Sequence, residues 1–137
     1  MKILIDNNVA LDALLGRQSF NKAAERILMA CVDNHEGYLS VNSLTDIFYV
    51  LRKTIGAAES KAAIIKFMDL VEIIPVDEED CINALSLPID DFEDALILIC
   101  AKKEGTDYIV TRDKTLLQTK ATISIITPDD FLNNHTV

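Results

Sequence analysis

The chain has 137 residues, half of them hydrophobic, and carries a net charge of −9. One compact domain spanning residues 1–137, with an ordinary buried core, fits that size. The acidic balance argues against a broad basic face laid on nucleic acid, but it allows acids gathered in one cleft to recruit divalent cations.

The chain opens on Met1-Lys-Ile-Leu-Ile5, apolar after Lys2, as expected of a strand at residues 2–5 buried on both faces. Asp6 cuts this run too early for a signal peptide. A short helix is predicted at residues 9–15, ending near Gly16. A longer amphipathic helix is predicted at 21–34, where Ala24, Ile27, Leu28, Cys31 and Val32 follow the i, i+3, i+4 rule. Gly37 precedes a short strand at 38–41. A helix at 43–54 carries Leu44, Ile47, Phe48 and Leu51 on one stripe and closes at Gly56. Another helix at 58–70 leads to a strand at 71–76, and a helix at 78–85 stops before Pro88.

The strongest helix signal covers residues 91–103. It has a start resembling a capping box, Asp90-x-x-Glu93, with Lys102 and Lys103 in the last turn and Gly105 beyond it. Its apolar stretch, residues 95–101, is far shorter than the ~20 residues of a membrane span. Strands at 108–111 and 123–126 flank a short helix at 114–118, and a turn of helix follows at 129–132. Strand lengths alternating with helix lengths give an α/β fold class: three layers around a central, mostly parallel sheet of four to five strands. Cys31, Cys81 and Cys100 lie in helical contexts with no CxxC pair and read as reduced thiols, which suits a cytoplasmic protein. His35 and His135 have no second metal ligand at a usable spacing, so zinc is not expected.

The acids carry the chemistry. Functional groups of an open parallel sheet collect beyond the carboxyl ends of its strands. Asp6 ends the first strand, and Asp113 comes two residues after the strand at 108–111. Asp46 is expected in the first turn of its helix, either as the acid of a Ser43-x-x-Asp46 capping box or as a metal ligand. Asp94 points along the buried face of its helix, where an unpaired acid is expensive. Asp91 lies one turn earlier on that face. Carboxylates this close cannot all stay ionised without a cation, and Mg²⁺ or Mn²⁺ takes oxygen ligands. Asp12, Asp33, Glu36 and the acids at 77–80 read as surface charge or caps. No Gly-rich phosphate loop, G-x-S-x-G elbow or convincing Cys/His pair occurs.

Four segments then resemble the PIN domain family, including the ribonuclease toxins of toxin–antitoxin pairs. Ile3-Leu-Ile-Asp-Asn-Asn-Val-Ala-Leu-Asp12 is similar to the family's opening strand and Asp-Thr-Asn-Val. Ser43-Leu-Thr-Asp-Ile-Phe-Tyr-Val-Leu-Arg-Lys53 is similar to its second motif, Asp91-Phe-Glu-Asp-Ala95 to the third, and Tyr108-Ile-Val-Thr-Arg-Asp113 to the fourth. Their order is right and they span most of the chain. The resemblance implies a PIN-like α/β/α fold and a Mg²⁺- or Mn²⁺-dependent endoribonuclease. Asp6, Asp46, Asp94 and Asp113 would be its catalytic and metal-binding acids, with Asp91 a further metal ligand. Asn8 and Thr111 would support the site. It also implies an RNA substrate, an antitoxin partner and a homodimer. Asn7 stands where a Thr or Ser is usual, and Asp46 stands where a Glu is usual.

Arg52, Lys53, Arg112 and Lys114 lie near these motifs and are expected to steer RNA phosphates. A second reading is a catalytically weak or inactive interaction module binding a basic protein partner. A phosphatase of the haloacid-dehalogenase type wants a second Asp where Asn8 stands, and a receiver-type phospho-acceptor wants an acid pair near the first strand.

Overall fold

The computed structural model describes residues 1–135. The first strand, β1 (Lys2–Ile5), alternates its side chains, Ile3 and Ile5 to one layer and Leu4 to the other, as the two-residue period of a strand requires. Then follow α1 (Asn7–Leu14), α2 (Asn21–Asp33), β2 (Glu36–Ser40), α3 (Val41–Ile55) and α4 (Ala57–Met68). The second half comprises β3 (Glu72–Ile74), α5 (Glu78–Leu85), α6 (Phe92–Glu104), β4 (Tyr108–Val110), α7 (Lys114–Leu117), β5 (Ser124–Ile126) and α8 (Pro128–Asn134).

All strand pairings are parallel, in the order β3-β2-β1-β4-β5. The chain builds outward from β1 to β2 and β3, then crosses back and lays β4 on the other side of β1. The strand order therefore reverses between β1 and β4. In an open α/β sheet, that reversal leaves a crevice beyond the two carboxyl ends.

Two apolar layers cover the sheet, which gives the three-layer α/β/α arrangement expected from the sequence. On one face Ile3, Ile5 and Leu39 pack with Ile27, Ile47, Leu51, Phe67 and Phe131. On the other, Leu4, Tyr38, Ile74 and Ile109 pack with Ile97, Leu98 and Leu116 of α6 and α7. α5 joins this side through Ala84, against Ala95 and Leu96. Among the described residues no helix is long and apolar enough to cross a membrane. The three cysteines are free, and burial pushes the Cys31 thiol up to about 12. His35 and His135 stack with Phe131 in an aromatic cluster that includes Tyr108.

Three helix starts differ from the sequence expectation. α1 begins at Asn7 rather than near Val9, because the Asp6 carboxylate accepts from the Asn7 N–H at 2.8 Å. α3 begins at Val41, running straight on from β2, so Asp46 lies in its second turn and caps nothing. Ser43 is buried instead, its hydroxyl 2.9 Å from that of Ser40. α6 is capped by Asp91 rather than Asp90, and Asp91 Oδ1 accepts from the Asp94 N–H at 3.0 Å. A complete reciprocal capping box does form, at α5 between Asp77 and Asp80.

α2 lies so close to β2 that only glycine fits beneath it at Gly37. A Cβ there would stand 2.6 Å from Cys31 Sγ and 3.0 Å from Val71 Cγ1. Gly37→Ala is expected to cost about 1–3 kcal/mol through overpacking, read as a lower denaturant midpoint than wild type. An unchanged midpoint would mean that the helix yields freely.

Candidate active site

Asp6 closes β1 and starts α1. Its backbone N–H donates to Val110 O at 3.0 Å, which extends the pairing of β1 with β4 to the sheet's rim. Its Oδ2 accepts from Thr111 Oγ1 at 2.7 Å and from Asn8 Nδ2 at 3.3 Å. Thr111 is fully buried just beyond β4. The same hydroxyl oxygen accepts from the Asp113 N–H at 3.0 Å. One threonine thus joins the two strand ends and fixes where both aspartates leave the sheet.

Asp113 caps α7, its carboxylate accepting from the Thr115 N–H at 2.9 Å. Asp91 caps α6 in the same manner. The starts of α1, α6 and α7 therefore each carry an aspartate on their unpaired N–H groups, where negative charge is favoured. Asp94 sits in the first turn of α6, only 7% exposed. Burial first, then the Asp91, Asp113 and Asp6 carboxylates, pushes Asp94 up to about 6. Burial also raises Asp6, with Asp113 and Asp91 adding to it, while the Thr111 hydroxyl and the Asn7 N–H oppose the rise. Asp6, Asp91, Asp94 and Asp113 thus lie within electrostatic reach of one another around the β1–β4 crevice.

Asp46 reaches this group through a residue that the sequence suggested only as a capping acid. Glu93, beside Asp94, faces the Asp46 carboxylate, and that contact, burial and the charges of Asp46, Asp6 and Asp91 push Glu93 up to about 7. Asn7 Nδ2 donates to Glu93 Oε1 at 3.1 Å. Asn7 replaces the family's usual hydroxyl residue, and here its longer amide spans from α1 to α6. A clue to Glu93 was the adjacency Glu93-Asp94 at a helix start, since neighbouring helical residues project about 100° apart.

Asp12 is the second residue that the sequence did not single out. It is 1% exposed rather than a surface charge. Arg112 grips it with two bonds, Nε to Oδ2 at 2.6 Å and Nη2 to Oδ1 at 2.9 Å, and Arg17 adds a third at 3.3 Å. The Arg112 guanidinium also lies 4.1 Å over the Phe20 ring. Arg112 is therefore committed to structure and not to steering phosphates. Because it separates Thr111 from Asp113, its anchor holds the segment that carries both. The i, i+4 spacing of Asn8 and Asp12 on α1 was the legible sign that Asp12 faces inward.

The donor set suits a hard divalent cation, because every group offered is a carboxylate or amide oxygen. Among the described residues Asn8 Oδ1 is buried with no hydrogen-bond partner, beside the Asp6 carboxylate that the same amide contacts. A buried acceptor without a donor is costly, and a cation would satisfy it. Among the described residues no three acidic, histidine or cysteine side chains close on a single point. Mg²⁺ binds in that manner, through one or two carboxylates and retained waters rather than a full protein cage.

Two outcomes follow for the protein without metal. Asp94 rises from 3.8 to about 6 and Glu93 from 4.5 to about 7. Both bind protons more tightly in the folded state, so their stabilisation is complete at low pH and is lost as pH rises through that window. With chelator present, the melting temperature should fall from pH 5 to 7.5, and Asp94→Asn should flatten the slope. The difference between the two proteins removes His35, whose lowered pKa acts in the opposite direction. Parallel slopes would refute the effect. Asp12→Ala is expected to cost on the order of 2–4 kcal/mol by chemical denaturation, since it strands Arg112, though both arginines keep about a third of their side-chain surface in water.

Residues 2–115 match the family model described as PIN domain. "Ribonuclease VapC1" of Aquifex aeolicus is 29% identical over 138 residues, covering 95% of this chain and 92% of that protein. VapBC2 from Rickettsia felis, solved bound to a promoter DNA fragment, has a TM-score of 0.70 at 16% identity, over 93% of this chain and 98% of that one. VapC20 of Mycobacterium tuberculosis, described as a sarcin-ricin-loop-cleaving toxin, has a TM-score of 0.70 at 17% identity, over 83% of this chain and 92% of that one. The reversal of strand order at β1 and β4, the acids placed on it and the match over most of the length agree, and this chain belongs to the PIN domain family.

Proposed function

We propose that this single-domain protein is a metal-dependent endoribonuclease, using Mg²⁺ or Mn²⁺, and the toxin of a toxin–antitoxin pair. The observation that carries this reading is the placement of Asp6, Asp94 and Asp113 at the β1–β4 crevice, beside the unpaired Asn8 Oδ1. The relative named Ribonuclease VapC1 supports the substrate class, and the solved VapBC complexes support an antitoxin partner. An RNA substrate, an inhibitory antitoxin, a second copy of the chain and a cytoplasmic site of action belong to the same reading.

Asp6, Asp94 and Asp113 would hold the ion directly or through its retained waters, with Asp46 and Asp91 serving a second ion or orienting the attacking water. A bound divalent ion would acidify a water and offset the charge that builds on the phosphate. Thr111 and Asn8 hold Asp6 Oδ2 in place, so its orientation costs little when the ion binds. Burial of Asp94 keeps bulk water from screening the charges at the crevice. Glu93 lies against the Asp46 carboxylate, and Asn7 fixes Glu93 Oε1. Asp46, one methylene shorter than the family's usual Glu, is matched by the longer Glu93 opposite it.

The test is cleavage of single-stranded RNA with Mn²⁺ or Mg²⁺, with and without EDTA. Chelation should abolish cleavage, and Asp6→Asn or Asp94→Asn should each lower kcat by roughly 100-fold or more. Full activity in both variants would end the reading. A catalytically inactive interaction module would show no cleavage in the wild type under any of these conditions.

A further inference from the structure

A cavity of about 550 Å³ adjoins the acids on the side of α6. Asp91 and Asp94 line it as well as belonging to the acid group, so the two spaces share a wall. Its other walls are mainly apolar, from Pro88 and Ile89 before α6, Leu98 within it and Ile123 at the edge of β5. The volume lies in the ordinary range for small-ligand sites, about 300–1,000 Å³. Nothing in the proposed chemistry uses this space.

The cavity lining carries charge of both signs. Aspartates stand where it meets the acids, and Lys102 and Lys120 also line it. Thr119 and Thr122 add side-chain hydroxyls to the lining. Apolar walls with a few hydroxyls suit a flat heterocycle that stacks and pairs along its edge. Lys102, in the last turn of α6 where Asp94 is in the first, and Lys120 suit a phosphate that no metal ion serves.

We propose that this cavity receives the base of the nucleotide adjoining the phosphate cleaved in a single-stranded RNA, with Lys102 and Lys120 on the next phosphate along. The proposal rests on the ribonuclease reading for the placement of the scissile phosphate. It makes the protein select its cleavage position by base, through residues outside the acid group. Ala121, exposed on the cavity lining, is the position at which a bulky side chain fills the space with least disturbance to the core.

Two measurements test it. In the first, cut sites on a random single-stranded RNA pool are mapped with Mn²⁺ for wild type, Ala121→Trp and Lys120→Ala. The wild type should prefer one or two bases at a position next to the cut. Ala121→Trp should erase that preference and raise KM by about tenfold, the scale of one lost base stack, with Mn²⁺ affinity by calorimetry unchanged. Lys120→Ala should raise KM without changing the preferred base. If the wild type cleaves and neither variant alters base preference or KM, the cavity assignment falls and the ribonuclease reading stands.

In the second measurement, AMP, GMP, CMP and UMP are titrated without metal while the Ile89, Leu98 and Ile123 methyl signals are followed by NMR. At least one nucleotide should shift all three in wild type and not in Ala121→Trp. Such shifts in a protein that cuts no RNA would keep the cavity as a nucleotide site and discard the nuclease. If a short peptide of arginine and leucine moves these methyls and no nucleotide does, the cavity belongs to a protein partner and the proposal is overturned.

Discussion

The hydroxyl of Thr111 is the contact on which the candidate site depends. It donates to Asp6 and accepts from the backbone of Asp113, at 2.7 and 3.0 Å, at the seam between the two central strands. Those strands come from opposite ends of the chain, so the site exists only once β1 and β4 have paired. A buried oxygen that satisfies both aspartates leaves little freedom in either position. Building the core and assembling the carboxylates are therefore the same event.

Gathering acids at that seam opposes folding unless something neutralises them. Burial and mutual repulsion lift Asp94, and contact with Asp46 together with burial lifts Glu93, well above ordinary carboxyl values, so the metal-free protein holds extra protons. The fold offsets part of the strain locally. Three helix starts offer N–H groups to Asp6, Asp91 and Asp113, and Asn7 braces Glu93. The Asp12–Arg112 pair offsets none of that charge, but clamps the segment between Thr111 and Asp113 from beneath. Stability is concentrated behind the site, and electrostatic cost in front of it.

Departures from the family pattern become interpretable in the same terms. Read singly, Asn7 in place of a hydroxyl residue and Asp46 in place of Glu look like losses. In the structure they meet at Glu93, which accepts from Asn7 and lies against the Asp46 carboxylate. A shorter acid on α3 and a longer one on α6 span the same gap, and the amide fixes the longer one. The altered residues form one connected unit.

The sequence by itself determined the alternation of strands and helices, the three layers and the positions of Asp6 and Asp113, because apolar periodicity and strand ends are local properties. It also marked Asp94 as an acid on a buried helix face. It placed Asp46 a turn too early in its helix, since a strand that passes directly into a helix gives no turn residue to mark where the helix begins. It read Asp12 as surface charge and passed over Glu93 as a capping acid, because each is defined by a partner about 100 or 50 residues away. Only the tertiary structure decided that β4 lies beside β1, and with it which carboxylates face one another. Strand order is set by the packing of whole layers, and no short stretch of sequence contains it.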